Sequence, residues 1–217
     1  AVGLTAEAGT YALVSRLPEL VATNLGPGRN KLFVRGIADS SFSGPTQSTV
    51  GLYLGELRLT YNAPEPDLRL YDIDTIEVVE GPQGTLYGAG ALGGIVRITP
   101  NSPDPDGFHA NASLGSAKTS DGRGSHDAGG MLNIPLIDDR VAVRVVGYSQ
   151  RLGGYIDNAT LGLKDTNTTR ISGGRGAVRA SPGNGWEIEL AGLSQSISTS
   201  DGQYSDRGLA PLTHAAA

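Results

Sequence analysis

The sequence predicts a compact α+β unit of about 100 residues, followed by a run of antiparallel β-strands. Short mixed elements fill the chain up to residue 100, and a segment rich in proline and aspartate, residues 101–107, follows them. From residue 108 onward, apolar and polar residues alternate with a period of two, which is the pattern of half-buried strands. We therefore assign residues 1–104 and residues 105–217 to separate domains.

The first domain is predicted to contain four short strands and one or two small helices. A helix is expected over residues 10–17, because Pro18 disfavours helical geometry in the residue before it. Polar segments at residues 39–47 and 58–67 are expected to be loops. β-branched and apolar runs predict strands at residues 32–35, 49–54, 75–79 and 95–99.

The second domain is predicted to contain five strands, at residues 108–115, 127–134, 141–151, 170–180 and 186–197. Val143 and Val145 alternate with Arg144, and Ile188 alternates with Glu187 and Glu189, so each strand has one apolar face. The predicted connections alternate between short and long, as they do in outer-membrane barrels. A soluble antiparallel sandwich with uneven loops fits the same pattern, so the alternation leaves both interpretations open.

Composition excludes several classes of function. The net charge is −5 and no Lys- or Arg-rich face is visible, which argues against nucleic-acid binding. Cysteine is absent, which excludes disulfides, Cys-ligated zinc and thiol catalysis. No window approaches the roughly 20 apolar residues of a transmembrane helix. His109, His126 and His214 are scattered, so we expect no catalytic residue, no metal site and no cofactor.

The most informative motif joins two β-branched runs through a glycine-rich return. Glycine permits tight turns and a close approach of two backbones, and we expect that role in this motif. A phosphate-cradling loop is disfavoured, because the Lys-Ser/Thr pair of a Walker loop is missing. The residues of this motif are Gly81, Pro82, Gln83, Gly84, Tyr87, Gly88, Gly93 and Gly94.

This motif resembles the end of the plug domain of TonB-dependent outer-membrane receptors. The resemblance extends to Phe33-Val34-Arg35-Gly36-Ile37 and to Asn133-Ile134-Pro135-Leu136. It implies an α+β plug domain, residues 1–104, followed by antiparallel β-strands of an incomplete transmembrane β-barrel. Residues 105–217 would be the first five strands of a barrel of about 22 strands, with the plug in its lumen. No TonB-box-like segment precedes Ala1, so we expect a receptor fragment truncated at both ends.

The function implied by the resemblance is active import across the outer membrane of a Gram-negative bacterium. The solute would be bulky and scarce, such as an iron–siderophore chelate, and would bind from outside. Expected partners are TonB, through the missing N-terminal segment, and outer-membrane lipid. The alternatives are a passive porin or autotransporter-like barrel, which would not need the glycine motif, and a soluble glycine-rich sandwich or adhesin.

The resemblance also implies a latch between plug and barrel. Family members pair an arginine at the position of Arg35, and a second one just before the Gly-Pro, with barrel glutamates. In this sequence the second position is Glu80, which reverses the charge. A charge buried in the lumen needs a partner, so we expect Glu80 to pair with Arg35, Arg97 or a barrel cation. Glu77 is included in the predicted latch.

Ligand contacts are expected from the two polar loops, which would face the extracellular vestibule. The side chains are Phe42, Gln47, Arg58 and Tyr61; tyrosine combines ring contact with a hydroxyl group.

Charged residues of the barrel strands are expected to face the lumen, because arginine on the lipid face costs about 2–4 kcal/mol at midplane. A turn at residues 181–185 would place Arg179 opposite Glu187 and Arg175 near Glu189. The lumen set is Arg144, Arg175, Arg179, Glu187 and Glu189.

Overall fold

The computed structural model of the chain describes residues 9–37, 46–60, 62–88, 91–202 and 213–214. The chain divides into two compact units, Ala1–Asn101 and Ser102–Ala217. Within the described ranges, no helix is both long enough and apolar enough to cross a membrane.

The N-terminal unit is built from short strands around one mixed sheet. Its elements are a 3-10 turn Thr10–Leu13, β1 Leu20–Ala22, β2 Leu32–Val34, β3 Thr46–Gln47, β4 Val50–Leu54, β5 Leu57–Arg58, β6 Asn62–Ala63, β7 Ile73–Glu80, α1 Gly84–Tyr87 and β8 Gly94–Pro100. The main sheet has four strands in the order β5-β4-β8-β7. β4 and β8 are parallel, whereas β7 and β8 are antiparallel. Two small sheets, β1-β2 and β3-β6, accompany it.

Both faces of the main sheet are covered. Alternate residues of the parallel central strands point into the main core, which holds Leu13, Leu20, Val34, Val50, Leu52, Leu68, Leu70, Val96 and Ile98. Two intervening residues, Tyr53 and Ile95, form a second, smaller cluster with Ala91, which precedes β8, and Tyr87 packs against this cluster. Burial on both faces explains why β4 is a continuous apolar run. β8 begins in the same way, but Arg97 and Thr99 alternate with its later apolar residues.

The predicted helix over residues 10–17 is wrong beyond its first turn. Only Thr10–Leu13 is helical, and its geometry is 3-10, with the Ala12 N–H bonded to the Gly9 carbonyl. The Thr10 N–H, which has no partner within a helix that begins there, donates to the Leu68 carbonyl. A segment this short cannot offset the cost of helix nucleation, so packing of Leu13 determines its shape.

The C-terminal unit is dominated by one antiparallel sheet. Its strands are β9 His109–Lys118, β10 Gly124–Ile137, β11 Val141–Leu152, β12 Asp157–Asn158, β13 Thr169–Gly183, β14 Trp186–Thr199 and β15 Thr213–His214. The sheet has five strands in the order β14-β13-β11-β10-β9. The five predicted strands are confirmed and are longer than predicted. A two-residue parallel bridge joins β12 to β15.

The two faces of this sheet differ sharply in chemistry. One face exposes large apolar side chains, including Leu114, Leu132, Ile134, Val145, Val178, Trp186, Ile188 and Leu190. The other face carries polar and charged residues that are largely buried, including Asp127, Asn133, Arg144, Gln150 and Arg175. We refer to these as the apolar face and the polar face.

The hairpin between β13 and β14 is tighter than the predicted turn at residues 181–185. Its two loop residues, Asn184 (φ 55°) and Gly185 (φ 78°), both have left-handed backbone. Two consecutive left-handed residues make a type I′ turn, for which Asn-Gly is the preferred sequence. β13 therefore continues as far as Gly183.

A bulge in β13 changes the register near this turn. Ser181 and Pro182 together oppose the single residue Glu187 of β14, which is the two-against-one arrangement of a β-bulge. Pro182 has no N–H to donate to the ladder, which explains why pairing is interrupted there.

Because of the bulge, the residues opposite Arg179 and Arg175 differ from those predicted. Arg179 lies opposite Glu189, not Glu187, although its Nη2 still bonds Glu187 Oε2 at 2.8 Å. Arg175 lies opposite Leu193, so its predicted position near Glu189 is wrong.

Glu65 is a buried acid in the N-terminal unit. Its Oε1 lies 3.1 Å from the Ser48 hydroxyl, whose shorter contact, 2.6 Å, is with the Val50 carbonyl. The hydroxyl has a single proton, which lies closer to the Val50 carbonyl, so its donation to Glu65 stabilises the carboxylate only in part. Burial raises the pKa of Glu65 to about 8, although the Ser48 hydrogen bond lowers it in part. Glu65 is therefore mostly neutral at pH 7.

We predict that this acid makes the N-terminal unit less stable as pH rises. The pKa of Glu65 is higher in the folded state than in the unfolded state, so the folded state binds the proton more tightly. The free energy of unfolding should therefore fall between pH 4.5 and about 8 and then level off. Glu65→Gln should remove this slope and stabilise the unit at pH 8 by on the order of 2–5 kcal/mol.

Hydrogen exchange of the β4 and β8 amides in the full-length protein, at pH 5 and pH 8, measures this slope. Glu56→Gln is the matched control, because that side chain is 89% exposed. An unchanged pH dependence in Glu65→Gln would contradict the prediction.

Candidate functional site

The glycine motif forms a compact return between β7 and β8. The Gly81 N–H bonds the Gly93 carbonyl and the Gln83 N–H bonds the Ala91 carbonyl, at 3.0 and 2.9 Å. Gly94 has φ 148°, and a Cβ atom there would lie 2.4 Å from the Val79 carbonyl oxygen. The motif thus needs glycine at position 94 for both backbone conformation and space.

Tyr87, at the end of α1, connects the motif to the sheet. Its hydroxyl accepts a 3.0 Å hydrogen bond from Arg97 Nη2, and the Arg97 guanidinium lies 5.8 Å from its ring centroid. The Tyr53 ring meets it edge-on at 5.3 Å, and the Tyr53 hydroxyl donates to the Tyr87 carbonyl at 3.1 Å. Two side chains from neighbouring strands therefore hold one helical turn in place.

Arg58 reaches the same turn from β5. Its Nε donates to the Thr60 carbonyl at 2.7 Å, and its Nη1 donates to the Tyr87 carbonyl at 3.3 Å. Arg58 was predicted to lie in a loop and to contact ligand; it lies in the short strand β5 and also supports the motif. Its ligand contact stays a prediction.

The other predicted ligand residues are placed only in part. Gln47 is exposed in β3, where it pairs with Asn62 of β6. Phe42 and Tyr61 lie outside the described residues.

An ion pair joins the ends of β2 and β7. Arg35 and Glu80 are in contact through their charged groups, with 66% and 30% of their side-chain surfaces exposed. Arg35 (φ 52°) and Gly36 (φ 71°) form a tight left-handed turn closed by the Ile37 N–H on the Val34 carbonyl. Of the partners expected for Glu80, the structure therefore places Arg35 against it.

The remaining residues of the predicted latch, Glu77 and Arg97, lie on β7 and β8 of the main sheet. Arg97 forms a 3.4 Å ion pair with Glu56 and lies opposite Glu77 in the β7–β8 ladder. A latch with the barrel stays a prediction for all four residues, Arg35, Glu77, Glu80 and Arg97.

The predicted lumen charges share the polar face of the five-stranded sheet. Arg144 is buried and donates to Asn133 Oδ1 at 3.4 Å. Arg175 is also buried, and Arg179 forms its ion pair with Glu187. That this face lines a lumen stays a prediction.

Within the described part of the chain, no three His, Asp or Glu side chains converge on a possible metal site.

Residues 6–95 match the family described as TonB-dependent Receptor Plug Domain. The chain carries a TonB-dependent receptor plug domain followed by part of a barrel. Such receptors are transporters rather than enzymes, and this assignment places the chain in the outer membrane of a Gram-negative bacterium. We call the N-terminal unit the plug and the C-terminal unit the barrel segment.

Similar proteins cover most of this chain. The pesticin receptor of Yersinia pestis is 32% identical over 184 residues, 81% of this chain. The ferric yersiniabactin uptake receptor FyuA from Yersinia pestis is 25% identical, with a TM-score of 0.73 over 88% of the chain. The siderophore receptor PirA from Acinetobacter baumannii shares the fold at 17% identity and a TM-score of 0.69, over 90% of the chain. The chain spans 25%, 29% and 30% of these three proteins, respectively.

Sequence reasoning missed two residues that organise these sites. Tyr53 was assigned only to a strand, and its contact with Tyr87 links positions 34 residues apart. Asn133 was noted only as part of a motif, yet its side chain is fully buried. A polar residue between Leu132 and Ile134, at a position of the polar face, is the signal that marks it.

We predict that Gly94→Ala disrupts the return. The backbone conformation alone should cost about 1–3 kcal/mol, and the new Cβ would clash with the Val79 carbonyl. Amide-exchange protection of β8 in the full-length protein should fall accordingly.

Gly84→Ala is the matched control within the same motif. A Cβ at Gly84 meets nothing within 4 Å and the residue begins α1, so protection should be unchanged or slightly raised. Equal effects of the two substitutions would argue against steric control by Gly94.

Proposed function

We propose that the intact protein is a TonB-dependent active transporter that binds a bulky, scarce solute and imports it across the outer membrane. The observation that carries this proposal is the glycine return of the plug, followed in one chain by a sheet with one apolar and one polar face. A passive porin needs no such plug, and a soluble sandwich would not expose Leu132, Ile134, Val145 and Leu190 on one face.

An iron–siderophore chelate is the solute class we favour. The named functions of similar proteins support it: one is a ferric yersiniabactin uptake receptor and another a siderophore receptor. Ligand contacts are proposed for Phe42, Gln47, Arg58 and Tyr61. Aromatic rings and a guanidinium group suit an anionic chelate with planar parts. TonB would act on a segment N-terminal to the plug.

Energised uptake by the full-length protein tests the proposal. Binding is measured against a panel of ferric chelates, cobalamin and glycans, and uptake is then measured with and without TonB. We expect tight binding of one ferric chelate and uptake that needs TonB. Uptake that persists without TonB would support a passive barrel and contradict the proposal.

We propose that Arg35, Glu77, Glu80 and Arg97 form a charge-reversed latch between plug and barrel. In this arrangement Glu80 neutralises Arg35 within the plug, and the polar face supplies cations such as Arg144 and Arg175. Lumen-facing roles are proposed for these two and for Arg179, Glu187 and Glu189.

Glu80→Arg places a second cation beside Arg35, and we expect weaker plug retention and lower uptake. The double substitution Arg35→Glu with Glu80→Arg restores opposite charges and should recover both. Because the pair is exposed, a coupling of about 0.2–1 kcal/mol is expected from the double-mutant cycle. Plug retention is measured by protease access in the full-length protein. If Glu80→Arg changed neither retention nor uptake, the pairing would have no role in the latch.

A further inference from the structure

The carboxamide of Asn133 holds the segment that follows the plug. Asn133 lies on the polar face of β10, and none of its surface is exposed. Its Nδ2 donates to the carbonyls of Asp104 and Gly107, at 2.8 and 2.7 Å. Its Oδ1 accepts from the Asp104 N–H at 2.9 Å and from Arg144 Nη1 at 3.4 Å. A carboxamide has two donors and two acceptor sites, and all four are used.

The segment has a shape that suits this contact. The Asp106 N–H bonds Asp104 Oδ1 at 2.9 Å, which closes a turn over Pro105. Asp104 Oδ2 lies 2.8 Å from His109 Nε2, at the start of β9. The hydrogen bond from the Asp106 N–H, together with that to His109, lowers the pKa of Asp104 and keeps it ionised. The turn therefore presents its main-chain groups to Asn133 in a fixed arrangement.

Asparagine suits this position better than similar residues. Aspartate has no N–H to donate to the two carbonyls, and an aliphatic side chain would remove the hydrogen bonds that Asn133 makes to Asp104 and Gly107. Arg144 lies directly opposite Asn133 in the β10–β11 ladder. Its guanidinium favours the amide orientation with the oxygen toward the cation, which directs Nδ2 to the two carbonyls.

We propose that Asn133 is a positioning residue that fastens residues 104–107 to the barrel strands. Asn101 is itself bonded to Asp72 through its N–H and its carboxamide, so the connection between the two fastened ends is limited to residues 102 and 103. The three residue steps from 101 to 104 span at most about 10 Å. The end of β8 is thus joined to the barrel segment by a short connection, the tether. Force applied to the plug would be borne by the Asn133 hydrogen bonds and would not separate β9 from β10. The consequence for import rests on the proposed function; the anchoring does not.

A spin label on the segment reports the anchoring directly. Asp106→Cys places the label on an exposed residue of the turn, and Thr119→Cys places a reference label in the loop at the far end of β9. Each is introduced into the full-length protein as the only reactive cysteine. Asn133→Ala removes the carboxamide, while Asn133→Asp keeps its shape, replaces the two donors by an acceptor and adds a negative charge. Asn111→Asp makes the same change at an exposed site on β9.

We expect the mobility of the label at 106 to rise at least threefold in both Asn133 variants and to stay unchanged in Asn111→Asp. The label at 119 should not respond, and the barrel should keep its normal resistance to heat in detergent. An immobile label at 106 in an assembled Asn133→Asp protein would overturn the proposal.

If the variants do not assemble, hydrogen exchange on the unsubstituted protein tests the anchoring of residues 104–107. The Asp104 amide should exchange at least tenfold more slowly than its intrinsic rate; a smaller protection would overturn the anchor. Uptake by the Asn133 variants should fall several-fold with ligand binding unchanged. Normal uptake by an Asn133 variant whose segment is mobile would reject the role of the tether in import. Failure of the proposed function would instead appear as TonB-independent uptake by the unsubstituted protein.

Discussion

The barrel segment depends on one constraint, that its sheet must keep apolar and polar side chains on opposite faces. Because side chains alternate along a strand, a register slip of one residue would exchange the two faces completely. Leu132 and Ile134 would turn toward the polar side, and Asn133 would lose its partners. The bulge at Ser181 and Pro182 is tolerated because it lies beside the turn, where few pairs follow it. The buried arginines and the anchor of the connecting segment both depend on this register.

The same constraint explains what the sequence could reveal. Alternation is a local property, so all five long strands were predictable, as was the short-and-long rhythm of their connections. The glycine motif was equally readable, because positions such as Gly94 have a backbone conformation and a space that other residues do not fit. In each case a few residues that are close together in the sequence determine the local structure.

The predictions failed where the structure of a segment depends on residues outside that segment. Residues 10–17 contain a helical pattern, but so short a segment takes its shape from packing, and with Leu13 in the core only one turn is helical. The register of Arg175 depends on the bulge at Pro182, which a symmetric hairpin does not anticipate. The contacts of Tyr87 with Tyr53 and Arg97 join three elements, and no local pattern brings those side chains together.

The Arg35–Glu80 ion pair and the Asn133 anchor differ in physical character. The ion pair is exposed and charged, so water and salt weaken it and its members can exchange partners at little cost. The Asn133 contacts are buried and centred on a neutral carboxamide, so salt has little effect on them and breaking one leaves a desolvated group unpaired. The import proposed above requires contacts that release and a connection that does not. Charged, solvated groups suit the first requirement, and a fully satisfied buried amide suits the second.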